Sequence, residues 1–400
     1  MPKKKSILFM LINMNVGGTE KALLNMISEI PKDKFDITIL MLEEYGGFLD
    51  SIPSGIKVKY FKGYHNIKEI LKGPLHVTAL DFLKKRKIIK AVIMTFLCFI
   101  SKITKERSLF YKYVLREYPL DKNEYDIAVA YAGPMDFISY FIAHKTKAKR
   151  KIQWIHFDVT KIGFNKYFAA KLYKKFDQIF VVSKEGKNKL ARMLPKLNDK
   201  IDEFTNIVSP ELVEEMAEKG VGFEDQFGGV RILTVGRLSK EKGQDLTIPV
   251  LAKLKKNGFN VRWYCVGDGT ARYEYEQLIN SYNLGNDFKL LGVNSNPYPF
   301  MKHCDIYVQP SRHEGYCITL AEARCFSNPI ISTNFTGAAE QLLDEETGIL
   351  VGFDEHQMYN AIIRLLNDDK LRQKIKINLQ REIVGNALEM DKLLKIANSF

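Results

Sequence analysis

Short apolar runs alternate with helix-period patterns along this 400-residue chain from end to end, and that rhythm admits few folds. A run that is apolar at every position suits a strand buried on both faces, and strands separated by amphipathic helices join a parallel sheet through crossovers. The first series of runs comprises Ser6–Ile12, Phe35–Leu42, Val58–Phe61, Tyr125–Tyr131, Lys151–Phe157 and Gln178–Ser183. A second comprises Arg231–Leu238, Val261–Gly267, Phe288–Gly292, Ile306–Pro310, Pro329–Thr333 and Gly348–Gly352, with helical patterns such as Gln244–Asn257 and Arg272–Tyr282 between them. One core does not serve a chain this long, and the series changes near Thr205–Pro210. The pattern predicts an α/β protein of two Rossmann-like, doubly wound parallel-sheet domains facing a cleft, residues 1–204 and 205–380. Residues 381–400 have no strand of their own and are expected to form a helix packing back across the domains. In such folds the working loops lie at the carboxyl ends of the strands.

Charge divides the chain at the same place. The net charge of +13 is the sum of +19 on residues 1–200 (38 basic, 19 acidic) and −6 on residues 201–400 (22 basic, 28 acidic). The first half therefore presents a basic face to an anionic partner. Its densest part, residues 57–116, holds 15 basic and 3 acidic residues. Within it the apolar stretch Ile88–Ile100 is too short to span a bilayer. Flanked by KKRK and KITKER, the segment 84–116 fits a helix lying on an anionic membrane surface, held by about 1 kcal/mol per lipid-facing cation. Five scattered cysteines, with no C-x-x-C pair, suggest a reducing cytoplasm and neither a disulfide frame nor a zinc site. The opening MPKKKSILFMLI reads as a buried strand and no signal peptide.

Three segments carry chemistry. After the first strand, Gly17 and Gly18 precede a helix, where glycines let backbone N–H groups approach an anion or a sugar hydroxyl. After the seventh run, the loop GRLSKEKG carries Arg237 and Lys242. Two permanent cations at a strand's carboxyl end suit a diphosphate, each unit-charge pair about 4 Å apart being worth about 4 kcal/mol at an effective dielectric near 20. The third segment is PSRHEGYCITLAEA, with Glu314 expected at a helix entrance and Glu322 about two turns into the same helix. The N–H groups of Gly315, Tyr316 and Cys317 would face a phosphate there, and Glu322, set among Leu320, Ala321 and Ala323, needs a partner for its charge.

Together with GGTEK at 17–21, IHFD at 155–158, VVSKEGKNKL at 181–190 and VGDG at 266–269, these segments resemble glycosyltransferase family 4, the retaining enzymes of GT-B fold. The resemblance covers nearly the whole chain. It implies that residues 1–204 bind the acceptor and residues 205–380 the nucleotide sugar. It also implies that Arg237 and Lys242 stabilise a leaving diphosphate, Glu314 contacts the donor sugar and Glu322 binds the ribose. His156 takes the family's N-domain histidine position near the donor sugar. The donor-binding set implied in this way is Gly17, Gly18, Gly236, Gly267, Gly292, Val293, Gly315, Tyr316, Cys317 and Glu322. Two positions depart from the family pattern, with Ile207 and Ala338 standing where glycines are common.

The expected activity is transfer of a sugar, with retention, from a nucleotide-diphosphate donor such as a UDP-sugar. The acceptor would be a glycan or lipid-linked molecule in capsule or cell-wall polysaccharide synthesis, at the inner face of the membrane. No cofactor is expected, and no metal, since the two cations can neutralise the diphosphate and no Asp-x-Asp motif is present. Within enzymes the rival is a sugar-nucleotide epimerase of the same architecture. In another class, a basic nucleic-acid-binding protein would use the +19 half but leave the acidic half and its paired glutamates without work, so no nucleic-acid partner is expected.

Overall fold

The computed structural model describes residues 4–72, 75–84, 86–381 and 387–398. Seven parallel strands form the N-terminal sheet: β1 (Lys5–Leu11), β2 (Phe35–Met41), β3 (Lys57–Tyr60), β4 (Glu124–Ala130), β5 (Lys147–Ile155), β6 (Gln178–Val181) and β7 (Ile201–Glu203), in the order β3-β2-β1-β4-β5-β6-β7. Six more form the C-terminal sheet: β8 (Val230–Val235), β9 (Val261–Val266), β10 (Phe288–Gly292), β11 (Ile306–Gln309), β12 (Ile330–Thr333) and β13 (Ile349–Val351), in the order β10-β9-β8-β11-β12-β13. Both sheets are doubly wound, as the alternation predicts. Strand order reverses between β1 and β4 in one and between β8 and β11 in the other, and ligands of such sheets bind outside the strand ends at those switch points.

Central strands show why the apolar runs are continuous. Ile7, Leu8, Phe9, Met10 and Leu11 of β1 are all buried, with helices covering both faces, and burial of each such side chain contributes roughly 1.5–3 kcal/mol. The edge strand β3 instead reads KVKY and is half exposed, so lysine guards an unpaired edge. Sequence pattern alone misses β7, whose three residues, Ile-Asp-Glu, are too few and too polar to register as a run.

The last helices divide between the domains. Asp369–Arg381 packs Leu371, Ile375 and Leu379 into the C-terminal core, whereas Ala387–Asn398 places Met390, Leu393 and Ala397 in the N-terminal one. Lys392 Nζ donates to the Glu203 carbonyl at 2.8 Å and Lys5 Nζ to the Ala397 carbonyl at 2.5 Å. Residues 382–386 and 399–400, part of the helix expected over 381–400, lie outside the described residues.

Loops at the carboxyl ends of the two sheets meet across the cleft. Asp158, after β5, accepts 2.8 Å from Lys189 Nζ and 2.9 Å from Thr336 Oγ1 of the opposite domain. The Glu340 carboxylate crosses the other way, accepting the backbone N–H groups of Lys184 and Glu185, each at 2.8 Å, at the start of the helix Lys184–Met193. A carboxylate at that position gains from both the orphan N–H groups and the helix dipole.

Candidate active site

The loop that follows β8 opens at Gly236 and turns through Ser239–Gly243 into the helix Gln244–Lys256. Gly243 holds φ +72, and a side chain there would strike the Pro310 carbonyl at 2.1 Å, so this loop lies against the loop leaving β11. The contact brings Lys242 to Glu314: Nζ donates to Oε1 at 2.5 Å, with 18% and 12% of the two side chains exposed. Burial opposes the ammonium, but the Glu314 carboxylate outweighs it and the Lys242 pKa is raised. Glu314 Oε1 also accepts from Ser311 Oγ at 2.8 Å, and Ser311 in turn accepts from Gln309 Nε2 at 2.8 Å. Tyr307 donates to Gln309 Oε1 at 2.8 Å, so a chain of buried hydrogen bonds running back into β11 fixes the Glu314 carboxylate.

Arg237 sits on the same loop with its backbone carbonyl bonded to Gln244 Nε2 at 2.9 Å. Its guanidinium is exposed and has no hydrogen-bond or ion-pair partner among the described residues. Its charge reaches the opposite domain: Glu20, whose pKa burial raises, is held down in part by its own backbone N–H and by Arg237. Arg237, Lys242 and Glu314 therefore converge at the β8/β11 switch point.

Glu322 is bonded to none of that trio. The helix begins at Ile318 and ends at Arg324, capped by Cys317 at φ +70, so Glu322 is about one turn into it and not the two turns expected. Glu314 is thus a loop residue four positions ahead of the helix, and Glu322 is in the helix, 2% exposed. Tyr298 supplies the partner that the charge needs, its hydroxyl donating to Oε1 at 2.7 Å. Burial raises the Glu322 pKa, countered by the charge of Lys21 and by Tyr298.

His156 enters from the N-terminal domain as the first residue after β5. A Cβ on Gly315 would stand 2.1 Å from the His156 carbonyl, so the glycine is required by contact between the domains. Burial pushes the His156 pKa down to about 3, against the hydrogen bond with the Tyr131 backbone. The ring is neutral at physiological pH, and its buried Nε2 meets no partner among the described residues. Such an acceptor is costly unless a donor, such as a sugar hydroxyl, arrives.

The remaining sequence candidates fall around this centre with different reasons for their identity. Gly17 is the N-cap of the helix Gly18–Glu29, and a Cβ there would meet Glu20 Oε2 at 2.6 Å; Gly18 faces Ile318 across the cleft. Gly236, Gly267 and Gly292 end β8, β9 and β10 side by side, Gly267 because a Cβ would collide with the Gly236 carbonyl at 2.0 Å. Gly292, at φ +80, borders open space, and Val293 beside it is exposed. Tyr316 packs between both cores. The Cys317 thiol, pushed up to about 12 by burial, is no nucleophile. Ile207 and Ala338 are core residues, which accounts for side chains at those two places. Sequence reasoning did not single out Lys21, Tyr298 or the Asp158–Lys189–Thr336 cluster; a cation one turn into the helix after Gly17-Gly18 was the signal available for the first. Among the described residues no group of three or more His, Cys, Asp or Glu side chains is placed to hold a metal ion.

Comparison with known proteins adds the following. Residues 228–382 match the family model described as Glycosyl transferases group 1. A Campylobacter jejuni enzyme, the N-acetylgalactosamine-N,N'-diacetylbacillosaminyl-diphospho-undecaprenol 4-alpha-N-acetylgalactosaminyltransferase, is 32% identical over 214 residues, 53% of this chain and 57% of that protein. The Staphylococcus aureus capsular polysaccharide biosynthesis glycosyltransferase CapM is 28% identical over 159 residues, 37% of this chain and 40% of that one. The chain thus spans about half the length of the curated relatives it matches. Among solved structures, Anabaena HepE in complex with UDP-glucose superposes with TM-score 0.70 over 98% of this chain and 99% of that one, at 18% identity. Staphylococcus aureus TarM gives TM-score 0.69 over 100% and 99%, at 14% identity. These likenesses establish the fold as GT-B.

Proposed function

We propose that this protein transfers a sugar from a nucleotide-diphosphate donor, a UDP-sugar, to a glycan or lipid-linked acceptor in surface polysaccharide synthesis, a reading supported by the match of residues 228–382 to glycosyl transferases group 1 and by the GT-B fold. The observation that carries the reading is the convergence of Lys242, Glu314 and Arg237, whose guanidinium has no ion-pair partner among the described residues, at the switch point of the C-terminal sheet. Two cations there would receive the charge that grows on the departing diphosphate, so that no metal need do so; a preorganised donor of this kind is worth about 10²–10³ in rate. Glu314 would hold a hydroxyl of the donor sugar, and neutral His156 would accept a second through Nε2. Retention follows if the acceptor hydroxyl attacks from the face the diphosphate leaves. The relatives named for undecaprenol-linked and capsular substrates support the acceptor class.

The helix Ile88–Thr104 supports a place at the membrane. No helix among the described residues is long and apolar enough to cross one. Its Ala91, Met94 and Leu97 are buried, while Ile88, Val92, Phe96, Phe99 and Ile103 are exposed and fall within about 80° of its circumference. Soluble helices carry polar residues on that face. Flanking lysines would hold this face against anionic headgroups at the cytoplasmic leaflet, near a lipid-linked acceptor.

Incubation with radiolabelled UDP-, GDP- and ADP-sugars and a membrane extract tests the reading. Transfer to lipid or glycan, undiminished by exhaustive EDTA, is expected. Isomerised nucleotide sugar without transfer, or no chemistry with any donor, would overturn it, and activity restored only by Mg²⁺ would overturn the metal-free step.

A further inference from the structure

The helix Gly18–Glu29 of the N-terminal domain packs on the helix Ile318–Arg324 of the other, where Gly18 faces Ile318 and Asn25 Nδ2 donates to the Ile207 carbonyl at 3.2 Å. This contact carries Lys21 to the place where Glu322 lies. The Lys21 ammonium stands 4.9 Å from the centre of the Tyr298 ring and 5.6 Å from that of Phe48, so it rests between one aromatic face from each domain. It has neither a hydrogen-bond nor an ion-pair partner among the described residues. Tyr298, whose ring it covers, is the residue that donates to Glu322 Oε1 at 2.7 Å.

Glu322 therefore has an unusual supply of charge compensation. The carboxylate is buried in the C-terminal domain among Leu320, Ala321 and Ala323, a setting that favours the neutral acid. A neutral acid turns one oxygen into a donor and accepts mainly through the other, whereas a carboxylate accepts through both and more strongly, so it can hold both hydroxyls of a diol. The cation that favours the carboxylate comes from the other domain and acts through a cation–π seat, which leaves the second carboxylate oxygen unclaimed. We propose that Lys21 is a positioning residue that keeps Glu322 ionised, so that the nucleotide ribose is gripped only when the two domains are closed. The inference rests on the reading of Glu322 as the ribose-binding residue. It makes donor recognition a property of the assembled cleft: an open protein, with Lys21 withdrawn, presents the ribose with a weakened acceptor.

Binding isotherms test this on the full chain, using whichever of UDP, GDP and ADP gives the largest thermal shift, and its 2′,3′-dideoxy counterpart. The variants are Lys21→Ala, Lys21→Arg and Glu322→Gln, each checked for a wild-type circular dichroism spectrum. Wild type should prefer the ribonucleotide by about 10-fold or more, the worth of hydrogen bonds to a charged group. Lys21→Ala should lose most of that preference while binding the dideoxy compound normally, and Lys21→Arg should keep it. The groups facing Glu322 are Lys21, Tyr298, Tyr307 and Cys325. Burial raises the pKa values of the last three, so none of them changes charge in the acid range. Lys21→Ala should accordingly lose ribonucleotide affinity at a higher pH than wild type as pH falls, because Glu322 protonates sooner. Equal weakening of both ligands in Lys21→Ala, or no change in either, would overturn the proposal. Unaltered discrimination in Glu322→Gln would instead overturn the ribose assignment beneath it.

Discussion

Replacing Glu314 by glutamine removes the counter-ion of Lys242 and leaves its shape. The pair is neither a surface bridge, worth about 0–1 kcal/mol, nor fully buried, where loss of one partner costs about 3–5 kcal/mol. With 18% and 12% of the side chains exposed, an intermediate cost of about 2 kcal/mol follows, or a fall of roughly 4–8 °C in melting temperature for a domain of this size. The folded-state pKa of Lys242 is raised above its ordinary 10.5. The pair's contribution is therefore fully present below that value and is lost only as pH climbs past it, so thermal-shift measurements between about pH 6 and 8 read the ion pair alone. The double variant Lys242→Met/Glu314→Gln, with neither charge, should recover to within about 1 kcal/mol of wild type, a coupling of about 2 kcal/mol. In the empty site Glu314 also competes with a diphosphate for the same ammonium. UDP, which has no sugar for Glu314 to hold, should bind Glu314→Gln tighter than wild type, by about fivefold if about 1 kcal/mol of competition is released. Sugar transfer should fall by about 10²-fold all the same. Additive stability losses in the cycle, together with weaker UDP binding in the single variant, would refute the argument that this pair is the waiting seat of the leaving diphosphate.

Gly315→Ala should lower transfer by about 10²-fold while leaving the melting temperature within about 2 °C of wild type, because its Cβ would stand 2.1 Å from the His156 carbonyl of the facing domain and hold the cleft open; small-angle scattering would show the wider separation, and full activity would count against closure at this contact. Asp136 is raised by burial from its ordinary 3.8 to about 6, Arg107 working the other way. As an acid with a raised folded pKa it withdraws stability as pH climbs from about 4 to 6, by up to about 3 kcal/mol. Urea titrations should then find Asp136→Asn more stable than wild type at pH 8 and equal to it at pH 4; the same difference at both would refute this. Phe96→Asp/Phe99→Asp, on the exposed apolar face, should abolish flotation with anionic vesicles at low salt without altering transfer to a soluble acceptor, and unchanged flotation would remove the membrane surface from the account.

Sequence alone determined the two doubly wound sheets, because a strand buried on both faces must be apolar throughout and the crossovers must be helical. Among the described residues twelve of the thirteen strands coincide with the apolar runs; β7 does not, because three residues with two acids gain their place from β6 and from the ammonium groups of Lys187 and Lys392. Arg237, Lys242 and Glu314 were legible as candidates because they stand on loops that follow strand ends, and Glu322 because a charge among apolar helix residues needs a partner. Their grouping was not. Nothing in the spacing of Glu314 and Glu322 shows that the helix starts only after Cys317, that one acid pairs with Lys242 and the other with Tyr298, or that Gly315 is glycine because the opposite domain touches it. Lys21, fixed in sequence some 300 residues from Glu322, becomes its cation only when the domains close. Burial and electrostatic pairing depend on distances between side chains remote in the chain, and only the tertiary structure sets those distances.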